Sequence, residues 1–284
     1  MSSNILITGA TGFIGSHLIN RPELSKYKKH AFVRYVAGRY VLGEDINKTY
    51  GNLTDYFTVK QLIKDLKPEI VVHLAAISAV SYSYEHPQEV IDSNYVASVN
   101  LAEACLRENP NLKKFIYAST SETYGNNGND IQLEEYSQVP NSPYSASKKA
   151  TEDYLRYMFK AYNFPMVIAR PFNTYGRKND NHFMIERAIT QMIRNPSDIY
   201  LGDPEPTRDW MYVDDHVNEY IKLIESNSIG VIGNEFNFCT GKSYSIKETV
   251  ELIKTLAGYT GNVHWGTIPK RPLDINHLQG SNSK

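Results

Sequence analysis

The sequence predicts an α/β protein, a doubly wound parallel sheet with a smaller C-terminal lobe. Three observations carry this. Short apolar runs alternate with longer amphipathic segments. The runs are continuously apolar, as strands are when helices cover both faces of a sheet. A glycine-rich turn, "ITGATGFIG", follows the first run directly.

In order, "NILITG" reads as a strand and residues from Gly12 to Ile19 as a helix. "HAFVRY" is a strand, "FTVKQLIKDL" a helix, "EIVVHLAA" a strand, Pro87 to Glu108 a helix, and "KKFIYAST" a strand. The next helix runs from Pro143 to Tyr162, with Ser142 as its N-cap and Pro143 at its first position. "PMVIARPFN" returns to strand. Beyond Tyr175 the alternation loosens, and turn-rich "GRKNDNH" and "GDPEPTRDW" separate helices near 183–194 and 213–225. This reading divides the chain into a domain over residues 1–175 and a smaller lobe over 176–284, with strands able to rejoin the main sheet.

The 284 residues carry 30 lysines and arginines against 31 acids, without the basic excess of a nucleic-acid binder. Cys105 and Cys239 have no metal spacing and read as free cysteines. No His, Cys, Asp and Glu cluster has metal spacing either, so no metal is expected. The N-terminal apolar stretch lacks a basic flank and is cut by glycines, which argues against a signal peptide or a membrane helix. The expectation is a soluble, cytoplasmic protein.

Gly9, Gly12 and Gly15 follow the first strand in a G-x-x-G-x-x-G spacing, with Thr11, Phe13 and Ile14 in the same turn. A strand-to-helix turn of this kind lets a backbone approach a pyrophosphate and aims a helix start at it, which makes the sheet Rossmann-type. The second strand ends with Arg34 and, further on, Arg39, and offers no acid for a ribose 2′-hydroxyl. NADP(H) is therefore expected over NAD(H).

Tyr144 and Lys148 are four apart and share a helix face. A phenol with a pKa of about 10 is a poor base at neutral pH. An adjacent ammonium and a cationic nicotinamide would stabilise its phenolate.

"TGATGFIGSHL", "GNLTD", "VVHLAA", "STSETYG", "YSASK", "RPFNTYG", "RDWMYVDD" and "RPLDI" occur in that order from residue 8 to about 275. With them the chain resembles the extended short-chain dehydrogenase/reductases, within them the nucleotide-sugar epimerases and dehydratases. Its motifs are most like those of the GDP-mannose 4,6-dehydratases. The resemblance implies a hydroxyl-transfer triad of Thr120, Tyr144 and Lys148. It implies cofactor contacts from the glycine turn, from Asn52 (where many relatives have aspartate), and from Leu53, Leu74, Ala75 and Ala76. Asn173 and Arg208 would meet the diphosphate of a nucleotide sugar, with Arg271 near it. It also implies a homodimer paired through the two long helices, with Tyr154 and Met158 on the buried outer face. Relatives continue past the position of "SNSK" through a segment that helps close the substrate lobe.

Glu122 in "TSE" matches the dehydratase version of the motif. Once C4 is a ketone, the C5 proton is acidic; Glu122 would remove it as water leaves C6, with Ser121 helping deliver a proton to the leaving group. The same residues leave open a UDP-glucuronate decarboxylase, a C4 epimerase, and a non-catalytic dinucleotide-binding scaffold. That scaffold is disfavoured because both Tyr144 and Lys148 are kept. His73 reads as a strand residue, Tyr82, Tyr84 and Tyr95 as packing at the sheet edge with contact to cofactor or sugar as the alternative, and Trp210 as packing under Arg208.

Overall fold

The computed structural model describes residues 3–34, 42–128, 130–177, 182–228 and 230–284. The first half contains β1 (Asn4–Thr8), α1 (Phe13–Ile19), β2 (Lys28–Val33), β3 (Asn47–Tyr50), α2 (Tyr56–Leu66), β4 (Ile70–His73), α3 (Val80–Glu85), α4 (Pro87–Ile91), α5 (Ala97–Glu108) and β5 (Lys114–Ala118). The second contains α6 (Pro143–Tyr162), β6 (Met166–Pro171), β7 (Asn173–Tyr175), α7 (Met184–Arg194), β8 (Asp198–Tyr200), β9 (Thr207–Tyr212) and α8 (Val213–Glu225). The chain then adds β10 (Glu235–Phe238), β11 (Ser243–Ser245), α9 (Ile246–Ala257), β12 (Asn262–His264) and β13 (His277–Leu278).

Seven strands form a parallel sheet in the order β10-β6-β5-β4-β1-β2-β3. Successive strand residues point to opposite faces. Ile5, Ile7, Val72, Ile116 and Val167 pack on the face covered by α1 and α8. Leu6, Val71, Phe115 and Ile168 pack on the face covered by α2, α5 and α6. Both faces are buried, which is why these strands read as unbroken apolar runs. The chain leaves β1 toward β2 and β3 on one side and returns to β4, β5 and β6 on the other. That reversal opens a crevice beyond the carboxyl ends of β1 and β4.

Residues beyond Tyr175 contribute to two bodies of structure. α8 packs against α1, and β10 lies beside β6 in the main sheet. The remainder is a small layer in which β9 pairs with β7, β11 and β13, while β8 pairs with β12. Its own apolar cluster includes Ala188, Met192, Ile199, Leu201 and Val250.

The segment 87–108 is not one α-helix. A π turn over Asp92–Val96 separates α4 from α5. Asn94 in that turn is fully buried: its Oδ1 accepts from the Ile77 amide at 2.8 Å and its Nδ2 donates to the Ile77 carbonyl at 3.0 Å. The wide turn thus hands a side chain to the loop after β4. Met158 is also corrected: it is fully buried in this chain's own core, and Tyr154 is half-buried with its hydroxyl donating to Glu103 at 2.7 Å. Tyr157 and Tyr162 are the exposed aromatics of α6. Both cysteines are free and buried. Among the described residues, no helix is long and apolar enough to cross a membrane.

Candidate active site

A cavity of about 1010 Å³ opens at the crevice between the sheet and the small layer. One wall is the glycine turn. Gly9 has φ +71°, and a Cβ on it would lie 2.7 Å from the Ala75 nitrogen. A Cβ on Gly15 would lie 2.2 Å from the Gly9 carbonyl oxygen. Only glycine allows this close packing of β1, the turn and α1. Gly9, Gly12, Phe13, Ile14 and Gly15 line the cavity together with Leu74 and Ala76. A bare backbone cradle at the start of α1, on the crevice, fits a dinucleotide pyrophosphate.

Other expected cofactor residues stand back from the cavity. Thr11, Leu53 and Ala75 do not line it, and Leu53 is in the core beneath. Asn52 is exposed, and its Oδ1 accepts from the Thr54 amide at 3.2 Å, closing the turn before α2. Arg34 is exposed directly after β2. Arg39 lies outside the described residues.

The opposite wall is built by the segment after β5. Thr120 caps a single 3₁₀ turn, Ser121–Thr123, its Oγ1 accepting from the Glu122 amide at 3.2 Å. The Thr123 hydroxyl donates to the Thr120 carbonyl at 2.8 Å, and Ser119 donates to Glu152. Three of the four hydroxyls flanking Glu122 therefore brace the turn that presents it. Thr120, Ser121 and Glu122 all line the cavity, and Glu122 is half-buried.

Tyr144 and Lys148 enter from α6. A capping box fixes the start of this helix, with Ser142 Oγ accepting from the Ser145 amide at 3.1 Å. Burial pushes the Tyr144 phenol up to about 12; the Thr120 hydroxyl lowers it, Glu122 raises it and the Arg177 guanidinium lowers it. Burial pushes the Lys148 ammonium down to about 7, with Glu152 acting the other way. Both side chains line the cavity from the same face of α6. Lys148 Nζ donates to the Ala118 carbonyl at 2.8 Å and sits 4.9 Å from the centre of the Tyr117 ring.

The far end of the cavity is cationic. Arg208 is 7% exposed, its Nη1 donates to the Thr207 carbonyl at 2.8 Å, and it makes no ion pair among the described residues. Burial lowers its pKa, Glu122 and Asp274 raise it, and Arg271 lowers it. Arg271 pairs with Asp274 at 2.5 Å. A buried guanidinium without a bonded carboxylate is costly unless an anion completes it. Asn173 faces the same space, and its Oδ1 is buried with no partner among the described residues. The three residues expected at a diphosphate thus share one cavity.

Sequence reasoning missed one contributor, Arg177, and ranked site contact second for another, Tyr84. Arg177 lies between the rings of Phe13 (4.5 Å) and Phe183 (3.6 Å), donates to the Thr174 carbonyl at 2.7 Å, and reaches Tyr144 electrostatically. Its place just after "NTYG" was the available signal. Tyr84 is not sheet-edge packing. Its hydroxyl lies 2.8 Å from the Asn141 carbonyl and 2.9 Å from the Pro272 carbonyl, beside the segment carrying Arg271. His73 is a strand residue whose ring meets Thr8 at 2.7 Å and Ser98 at 2.8 Å. Trp210 lines the cavity, with its indole N–H donating to Thr249 at 3.1 Å.

Fold and site together define a Rossmann protein in which a buried Tyr–Thr–Lys group faces a glycine-rich backbone cradle on one side and a cationic end on the other. Residues 5–239 match the NAD dependent epimerase/dehydratase family. The dTDP-D-glucose 4,6-dehydratase of Dictyostelium discoideum is 32% identical over 257 residues, covering 83% of this chain and 58% of that protein. The dTDP-glucose 4,6-dehydratase of Neisseria gonorrhoeae is 30% identical over 298 residues, covering 96% of this chain and 81% of that protein. A crystal structure of the Thermotoga maritima UDP-glucose 4-epimerase with UDP-glucose superposes with a TM-score of 0.89 at 27% identity, covering 99% of this chain and 90% of that one. The Bacillus cereus UDP-glucuronic acid 4-epimerase, solved with UDP-glucuronic acid and NAD, gives 0.88 at 26% identity, with the same coverage. The chain belongs to the NAD dependent epimerase/dehydratase family of enzymes.

Proposed function

We propose that this chain is a nucleotide-sugar 4,6-dehydratase acting on a hexose carried by a nucleoside diphosphate. One observation carries the reading: the carboxylate of Glu122 lines the same cavity as Tyr144, within electrostatic reach of it and of Arg208 and Arg271. A carboxylate beside the phenol gives the site a second base, which inversion at C4 alone does not need.

The glycine turn and the crevice above β1 and β4 would hold the cofactor, which when bound supplies a hydride acceptor and later the hydride donor. Arg208, Arg271 and Asn173 bind the diphosphate and so place the hexose toward Thr120 and Tyr144. Tyr144 takes the O4 proton while Thr120 donates a hydrogen bond to the phenolate. With C4 a ketone, Glu122 removes the C5 proton and hydroxide departs from C6, taking up a proton by way of Ser121. GDP-mannose and dTDP-glucose are the first substrates to try. We further propose NADP(H) over NAD(H), on Arg34 at the end of β2, although NAD is the cofactor in the Bacillus cereus epimerase structure. A charge-assisted contact to a 2′-phosphate contributes about 1.5–3 kcal/mol. Titration of both cofactors should show tighter NADP binding, lost in Arg34→Ala; equal affinities in the parent protein would remove that part of the proposal.

The second reading is a C4 epimerase, supported by the likeness to the UDP-sugar 4-epimerase structures. Incubation with GDP-, UDP-, dTDP- and CDP-sugars, read by mass, separates the readings. Loss of water supports the dehydratase, unchanged mass with altered chromatography the epimerase, and loss of carbon dioxide a uronate decarboxylase.

A further inference from the structure

Glu152 lies one turn beyond Lys148 and two beyond Tyr144 on α6, and it is fully buried. Its Oε1 accepts from the Ser119 hydroxyl and from Arg170 Nε at 3.1 Å. Its Oε2 accepts from Arg170 Nη2 at 2.7 Å, Arg156 Nη2 at 2.6 Å and Gln138 Nε2 at 2.9 Å. These donors saturate a carboxylate, which offers about four lone-pair sites. Arg170, on β6 and 1% exposed, also donates through Nη1 to the Tyr124 hydroxyl at 2.9 Å and to the Glu134 carbonyl at 2.7 Å.

Ser119 immediately precedes Thr120, and Tyr124 immediately follows Thr123. The Glu152–Arg170 pair therefore grips the Thr120–Thr123 turn at both of its ends. We propose that Glu152 is a positioning residue, which fixes that turn against the helix carrying Tyr144 and Lys148 and places a buried carboxylate one helical turn from the Lys148 ammonium. The inference rests on the reading of Tyr144, Lys148 and Thr120 as the catalytic group.

Lys148 is buried, and its neighbours come from three elements. From β5 it meets the Ala118 carbonyl and the Tyr117 ring, and buried His73 on β4 lies within electrostatic reach of it. Its own helix adds Tyr144, and Glu152 is the anion that acts on it against burial. Arg170 and Arg156 share the Glu152 carboxylate, and Arg156 is further answered by Glu235 at 2.7 Å and Asp153 at 3.0 Å.

The test uses the full chain without substrate. Lys148 is followed through pH by NMR of ¹³C-labelled lysine, with Lys148→Met as the assignment control. Glu152→Gln keeps the shape but removes the charge, and should lower the half-titration of Lys148 by about one pH unit or more. Ser119→Ala should leave that titration in place but raise amide exchange over residues 120–124 roughly tenfold, because one end of the turn is released. If Glu152→Gln does not fold, Glu152→Gln/Arg170→Met, which removes both charges of the buried pair together, carries the same titration. An unchanged Lys148 titration in the charge-removing variant, or unchanged exchange in Ser119→Ala, overturns the proposal. Neither readout needs turnover, so a failed sugar panel and a failed proposal are distinguishable.

Discussion

Glu122 and Tyr144 share a cavity wall, yet substitution separates their chemistry. Glu122→Gln keeps the side chain's size and hydrogen bonding but cannot take the C5 proton. Oxidation at C4 should survive while elimination falls by roughly 10²–10⁴, the usual contribution of a general base. Tyr144→Phe should abolish cofactor reduction outright. Single-turnover absorbance near 340 nm, with solvent deuterium at C5 read by mass, distinguishes the two. A Glu122→Gln enzyme that forms dehydrated product at the parental rate would return the site to the epimerase reading. Tyr144, Lys148 and the glycine turn were legible because their chemistry depends on local spacing. Arg177 and Tyr84 were not, since what matters for each is a partner far along the chain: Phe13 for the first, Pro272 for the second. The engagement of Lys148 with the Ala118 carbonyl was equally hidden, because helix spacing gives a shared face but not a contact.

At the level of elements, α6 was legible to the residue because its ends are written in side chains. Ser142 and Pro143 open it, and Asn163 closes it in the left-handed conformation at φ 54°. The π turn before α5 was not legible, because a single widened turn leaves an apolar helical pattern intact on either side. β3, with the sequence NKTY, was missed because it has no buried residue to give it an apolar signature. Contacts between α3 and the segment around Arg271 carry a functional consequence. Tyr84 from α3 reaches the Pro272 carbonyl, and Asn141 Nδ2 reaches the Leu273 carbonyl at 2.9 Å, where Leu273 sits at φ +54°. Tyr84→Phe removes a bond worth about 1 kcal/mol and should loosen the segment that carries Arg271. The expected result is a several-fold rise in KM for the nucleotide sugar with kcat within about twofold of the parent. A fall in kcat at constant KM would instead place Tyr84 at the reacting sugar.

At the scale of the whole molecule, the proposed homodimer and the acid sensitivity of the fold are separately testable. Tyr157 and Tyr162 on α6 are 48% and 52% exposed and pack edge to face at 5.9 Å, with Ile91 and Val96 also exposed on the neighbouring helical segment. A partner chain on this face would cover them. Light scattering at micromolar concentration should give a dimer, and Tyr157→Glu a monomer; a monomeric parent removes the proposal. Acid sensitivity follows from two buried histidines. Burial pushes His73 down to about 3, with the Lys148 charge adding to it, and pushes His216 down to about 3, with Arg177 adding. Both rings are neutral in the folded protein, whereas an unfolded chain protonates them near pH 6.5. Below that pH the unfolded state binds protons that the folded state does not. Stability is therefore fully present above about 6.5 and is lost as pH falls toward 3, each ring approaching about 1.4 kcal/mol per pH unit. Between pH 6.5 and 5 most carboxylates have not begun to titrate, so the loss in this window comes mainly from these two histidines, with half-buried His30 adding in the same direction. Urea unfolding should show a lower midpoint at pH 5.5 than at pH 7, and the ring resonances of His73 and His216 should stay unshifted in folded protein over that interval. Either ring titrating near 6.5 would show that it is hydrated in the folded state and carries no such linkage.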